Sequence, residues 1–112
     1  MSFMVAPAHA ETRSCPQWEP LIAEYGLPVK WASQVMWRES RCVERVISKP
    51  NKNGTRDIGL MQNNSSWRTV TRAVCKTKNH VEALRHARCN LAVAAYLYNH
   101  GGKSHWRGTS AK

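Results

Sequence analysis

Glu39, in the run Trp37-Arg38-Glu39-Ser40, and Asp57, at the head of Asp57-Ile58-Gly59-Leu60-Met61-Gln62, are the two residues of this chain whose types and settings suit acid–base chemistry. Glu39 falls on a largely apolar helical stretch, whereas Asp57 precedes a glycine-bearing, strand-like one. Two carboxyls in contrasting surroundings are what cleavage of a glycosidic bond requires: one protonated to donate, one ionised to stabilise developing positive charge. Only seven residues are acidic, so few other pairs compete for that role. Gln62 and Asn64 add amides suited to sugar hydroxyls and acetamido groups, and Trp67 offers a face on which a pyranose can stack.

The surrounding pattern specifies the elements that must position these side chains. Pro16 to Tyr25 reads as a short helix, with Gly26 as its stop and Pro28 as the first residue of the next. Val29, Ala32, Val35 and Met36 then fall on one helical face, and three residues further the same stripe reaches Glu39. A carboxyl at that point is anomalous, because burial and the negative end of the helix dipole both disfavour its charged form. Residues 48–55 contain Pro50, Asn51, Asn53 and Gly54, and Asn53-Gly54 is a good hairpin turn. Arg56 to Gln62 reads as a short strand-like return, able to fold Asp57 back against the end of the Glu39 helix. Ser65 and Ser66 are expected to cap a helix running to about Val74. Asn79-His80-Val81-Glu82 resembles a capping box opening one long helix with Val81, Leu84, Arg88, Leu91, Ala95 and Tyr98 on a face, ending near Asn99. Arg88 interrupts that stripe and is expected near the rim or paired. The expected fold is mainly α with a small β hairpin.

At 112 residues there is room for one domain. Residues 1–10, ending in Ala8-His9-Ala10, look like a signal-peptide remnant, which leaves 11–112 as the single domain. No segment is long and apolar enough to span a membrane. The formal charge of +10 favours a polyanionic partner: nucleic acid, anionic membrane or bacterial wall. There is no RNA-binding aromatic motif, zinc-finger spacing or long basic block, so nucleic acid is not expected. Cys15, Cys42, Cys75 and Cys89 form no Cys-x-x-Cys pair, which argues against zinc and for two disulfides made in an oxidising compartment. Three pairings are possible; Cys15–Cys42 with Cys75–Cys89 is preferred because each bond then ties neighbouring segments. The five His show no metal-ligand spacing, and no cofactor is expected. Export to a periplasmic or extracellular site follows from the leader and the cysteines.

Trp37-Arg38-Glu39-Ser40 followed by Asp57-Ile58-Gly59-Leu60-Met61-Gln62-Asn63-Asn64-Ser65-Ser66-Trp67 resembles the signature of lysozyme-fold muramidases. The Glu-Ser and Gly-Leu-Met-Gln pieces are similar to lytic transglycosylases and goose-type lysozymes. Asp before Ile-Gly, and the Gln-x-Asn-Ser-x-Trp continuation, are closer to chicken-type lysozymes. Tyr98-Asn99-His100-Gly101 resembles the Tyr-Asn-x-Gly motif of lytic transglycosylases, whose Tyr contacts the catalytic Glu. The resemblance implies a lysozyme-like α+β fold with helices around a cleft and a substrate of alternating N-acetylmuramic acid and N-acetylglucosamine. It also implies Glu39 as general acid, Asp57 as second carboxyl, and Ser40, Gln62, Asn64, Trp67, Tyr98 and Asn99 around the substrate. Lytic transglycosylases instead use a single Glu as acid and then base, forming an anhydro sugar, so the sequence carries marks of both mechanisms. Asn63 departs from the apolar residue usual between that Gln and Asn. The implied partner is peptidoglycan, met by a monomer or by a component of a wall-penetrating assembly.

Plainer roles stand beside these. Glu39 can be a structural carboxyl receiving backbone N–H groups, and Asp57 a turn residue or the salt-bridge partner of Arg56. Trp18, Trp31 and Trp37 are expected in the core, and Tyr98 either in the core or at the site. A non-catalytic wall-binding module and a cationic antimicrobial protein are the rival functions.

Overall fold

Three prolines near helix starts and one glycine after a helix end organise the first third of the chain. The computed structural model describes residues 13–106, and the expected leader remnant at residues 1–10 lies outside them. A 3-10 turn, Pro16–Trp18, runs directly into α1, Glu19–Glu24, with Pro20 in its first turn, where a missing N–H costs nothing. Gly26 takes φ 77° beyond α1, its N–H donating to the Ala23 carbonyl and that of Leu27 to the Ile22 carbonyl. This is the Schellman closure that glycine permits. Pro28 caps α2, Val29–Ser40, rather than being its first residue. Ala32, Val35 and Met36 are buried along the expected stripe, while Val29 is only half-buried.

The β region is small and doubly folded. Ile47 bridges Ile58 in antiparallel fashion, with the Ser48 N–H donating to Asp57 O and the Gly59 N–H to Val46 O. The Asn53-Gly54 loop therefore does close a hairpin, with Gly54 at φ 85°. The expected continuous return from Arg56 to Gln62 is shorter. Strand β1 is Asp57–Ile58 only; residues 59–62 turn tightly into β2, Asn63–Asn64, pairing Asp57 with Asn64 and Ile58 with Asn63. Gly59 is required twice over. Its φ is 77°, and a Cβ there would fall onto the Asn90 side-chain amide and the Leu84 carbonyl.

Helix α3, Arg68–Cys75, begins later than the serines predicted, behind Trp67 and without a side-chain cap. The Ser65 hydroxyl instead accepts from Arg56 N–H, and Asn64 Oδ1 accepts from Ser66 N–H, so the β turn claims both residues. Asn79 does cap α4, His80–Leu84, accepting the Glu82 N–H at 3.1 Å. The long helix expected to follow is broken: α5 is Ala87–Asn99. Two tertiary contacts make the break. The Ala87 N–H donates to the Glu44 carboxylate at 2.8 Å, and the Leu84 carbonyl accepts from the Asn90 side chain at 2.8 Å. In an unbroken helix those groups would pair with Ala83 and Arg88.

Helix α5 is the centre of the core. Its Leu91, Val93, Ala94 and Leu97 pack with Ile22, Met36, Ile58, Leu60, Met61 and Leu84. A final 3-10 turn, Gly102–Trp106, lays Trp106 back on this core, its indole N–H donating to the Met61 carbonyl. Disulfides join Cys15 to Cys42 and Cys75 to Cys89. The first ties the start of the described chain to the end of α2, the second α3 to α5. Arg88 is exposed and paired with Glu24 at 2.7 Å, which raises the guanidinium pKa further through that hydrogen bond. The architecture is mainly α with one small antiparallel sheet.

Candidate active site

Glu39 lies half-buried on the last turn of α2, the continuation of the Ala32–Val35–Met36 face. Ser40 beside it is buried, and its hydroxyl donates to the Met36 carbonyl at 3.0 Å. That hydroxyl is committed to its own helix. Residues 41–46 then carry the chain from the end of α2 to Ile47, whose bridge to Ile58 sets the rung next to Asp57. A short link thus ties the two carboxyl-bearing elements together.

Asp57 is half-buried and held by amides rather than by a cation. Its Oδ1 accepts from Asn64 Nδ2 at 3.0 Å and its Oδ2 from Asn51 Nδ2 at 3.4 Å. The Arg56 guanidinium, the expected partner, donates instead to the Ser48 carbonyl. Asn64 spends its amide on Asp57 and Thr55 and its oxygen on Ser66, while Gln62 Nε2 donates to the Gly59 carbonyl. The polar groups expected to meet a sugar therefore also build the hairpin that presents them.

Asp57, Gln62, Asn64 and Trp67 do converge. With Asn63, Leu97, His105 and Trp106 they line one cavity of about 110 Å³ between the hairpin and the end of α5. Its lining includes neither Glu39 and Ser40 nor Tyr98 and Asn99. Trp67 meets the His105 ring edge-on at 5.6 Å, and His105 meets Trp106 at 5.8 Å. His105 packs against Gly101, where any Cβ would strike the imidazole.

Tyr98 sits elsewhere, its ring tilted against Trp31 of α2 at 5.4 Å, and Trp31 in turn meets Trp106 edge-on at 5.4 Å. The aromatic run Tyr98–Trp31–Trp106 therefore connects the helix bearing Glu39 with the wall of the cavity. Asn99 ends α5, exposed.

Sequence reasoning missed three residues here. Asn90 is fully buried, and its side chain bonds Met61 N–H, Ile58 O and Leu84 O, fixing the hairpin to α5. Asn63, the departure from the family pattern, is buried and donates to the Asn90 carbonyl at 3.0 Å. His105 lines the cavity. The signal for Asn90 was an amide on an otherwise apolar helix opposite an obligatory glycine; His105 carried none, since only the fold of the last turn aims it.

An apolar helix with a glutamate on its last turn, a hairpin presenting Asp57 and a Trp-walled cavity thus sit in one small, mainly helical domain. Residues 17–110 match the transglycosylase SLT domain, and the chain belongs to that family. At the level of the family it is a peptidoglycan lytic transglycosylase-type domain with a lysozyme-like fold. Comparison with curated proteins gave no match.

Proposed function

We propose that this protein cleaves the β-1,4 bond between N-acetylmuramic acid and N-acetylglucosamine, with Glu39 as general acid toward the leaving oxygen. The convergence of Asp57, Gln62, Asn64 and Trp67 on one cavity, in a chain of this family, carries the proposal. In this reading Trp67 and His105 wall a sugar site, and the Tyr98–Trp31 ring contact steadies the helix that holds Glu39.

Membership of the transglycosylase family favours a one-carboxylate course. Asp57, held by two asparagine amides, then stabilises positive charge from where it stands. Glu39 then acts as acid and afterwards as base, and the sugar's own hydroxyl closes an anhydro ring. The two disulfides support action outside the cytoplasm, as a monomer or as part of a wall-penetrating assembly.

The test is turbidity loss of bacterial walls with mass spectrometry of the released fragments. Glu39→Gln is expected to lower the rate by about two to four orders of magnitude, the usual contribution of a positioned acid. The parent's product is expected to be lighter by one water than a hydrolytic product. Full activity in Glu39→Gln would remove Glu39 from the mechanism, and a fully hydrated product would return the second step to water. Binding of walls without turnover would favour the non-catalytic reading.

A further inference from the structure

The end of α2 carries a second constellation that the cleavage site does not use. Arg41 follows the helix in the left-handed conformation, φ 55°, and Cys42 follows it at φ 67°. Left-handed positions after helices usually belong to glycine or asparagine, and each ordinary residue there costs on the order of 1 kcal/mol. Cys42 is explained by its bond to Cys15. Arg41 has no covalent reason to be there. Its guanidinium carbon sits 3.9 Å from the centroid of the Trp37 ring. Arg13, two residues before Cys15, brings a second guanidinium to within 5.1 Å of the same ring.

The disulfide is what gathers them, since it fixes the segment before Cys15 against the residues after α2. The two guanidinium carbons lie no farther apart than the sum of their distances to the indole. Salt largely screens exposed charges at the upper end of that range, so the two cations coexist beside the ring. Among the described residues neither is hydrogen-bonded to a carboxylate, and both side chains are exposed. The indole attracts both cations, and each guanidinium brings five N–H donors. An oxyanion accepting from both takes charge-assisted hydrogen bonds, with the indole beside it for an aliphatic neighbour.

We propose that Arg13, Trp37 and Arg41 form a disulfide-clamped subsite for an oxyanion carried by the bacterial wall, a carboxylate of its peptides or a phosphate of its anionic polymers. The inference rests on the peptidoglycan reading above, because Arg41 lies two residues past Glu39 on the same helix end and would hold a group borne by the same polymer. The subsite holds the wall while the cavity holds the sugar.

The test measures binding, not turnover, in a Glu39→Gln background, by sedimentation with insoluble walls. Adding Arg13→Ala and Arg41→Gly is expected to weaken wall binding about tenfold, one charge-assisted contact's worth. Arg41→Gly alone should keep or raise the melting temperature, because glycine suits the left-handed position, so lost binding is not lost folding. Lys52→Ala, an exposed charge on the hairpin loop, serves as control and should change binding by about twofold or less. Acid-stripped walls and peptide-free glycan then name the anion. A defect that persists on stripped walls and vanishes on peptide-free glycan identifies the carboxylate; one that vanishes on stripped walls identifies the phosphate. Equal binding by the double variant and its parent, or a loss no greater than that of Lys52→Ala, would overturn the subsite and leave only cations at a helix end. Failure of the Glu39→Gln protein to bind walls at all would instead overturn the peptidoglycan reading.

Discussion

Replacing Asn90 with alanine strips the partner from three backbone groups at once: Met61 N–H, Ile58 O and Leu84 O, each bonded at 2.8 Å in a residue of zero exposure. A buried polar backbone group left unpaired costs about 1–3 kcal/mol, and one entering water can re-satisfy part of the set, so the expected loss is about 3–6 kcal/mol. That is a large share of the roughly 5–15 kcal/mol of a domain this size. Urea unfolding with the disulfides intact should show it directly, as should a melting temperature lower by at least about 12 °C. Asn90→Asp keeps the volume and one acceptor but turns a second acceptor on the Ile58 and Leu84 carbonyls, so it should be no milder than alanine. Activity on walls should fall with stability, because Asn90 is what fixes the Gly59 turn, and with it Asp57 and Gln62, to α5. A loss under about 1 kcal/mol for alanine would refute the argument. It would mean that the hairpin is held by the Ile58, Leu60 and Met61 side chains, with the amide incidental.

Asp57→Asn preserves the shape and one acceptor for Asn64, so wall cleavage should fall by about tenfold or less if the carboxylate only stabilises charge, against the far larger loss for Glu39→Gln; equal losses measured by turbidity would restore Asp57 as nucleophile. Opening Cys15–Cys42 by paired serines should cost about 3.5 kcal/mol and opening Cys75–Cys89 about 3 kcal/mol on chain entropy, given their separations of 27 and 14 residues. Calorimetry showing the reverse order would assign the difference to native packing instead. Acid should weaken the fold in two steps. The Glu82 carboxyl is held below its usual range, first by its hydrogen bond from Arg45, so its stabilisation is complete above the unfolded pKa and lost as pH falls through the folded one. His80 is also lowered, by burial and then by Arg72, so the folded state resists its protonation and stability falls as pH drops below about 6.5. Glu82→Gln and His80→Gln should each flatten one step of a stability–pH curve, and unchanged curves would remove these groups from the linkage.

Local chemistry in the sequence determined what local chemistry can specify. The Ala32–Val35–Met36 stripe defined α2 and placed Glu39 on its last turn, Asn53-Gly54 marked a hairpin, Asn79 marked the start of α4, and the preferred cysteine pairing is the one present. Each of these rests on residues within a few positions of one another, or on cysteines with few alternatives. Three motif pieces also pointed to the family that the chain belongs to; the chicken-type likeness is not part of that match. What the sequence misplaced depends on groups distant along the chain. The break between α4 and α5 comes from Glu44 and Asn90 taking backbone groups that a continuous helix would have used. The late start of α3 comes from Arg56 and Asn64 claiming the two serines. Asp57 faces two asparagine amides instead of Arg56 because the Asn51 loop and β2 fold over it. In each case a polar group had suitable partners both near and far along the chain, and only the tertiary fold decides which arrives. The sequence alone determined the hairpin, the two carboxyls and the helix that carries Glu39 on its last turn; the tertiary structure decided which amides hold Asp57 and which side chains share its cavity.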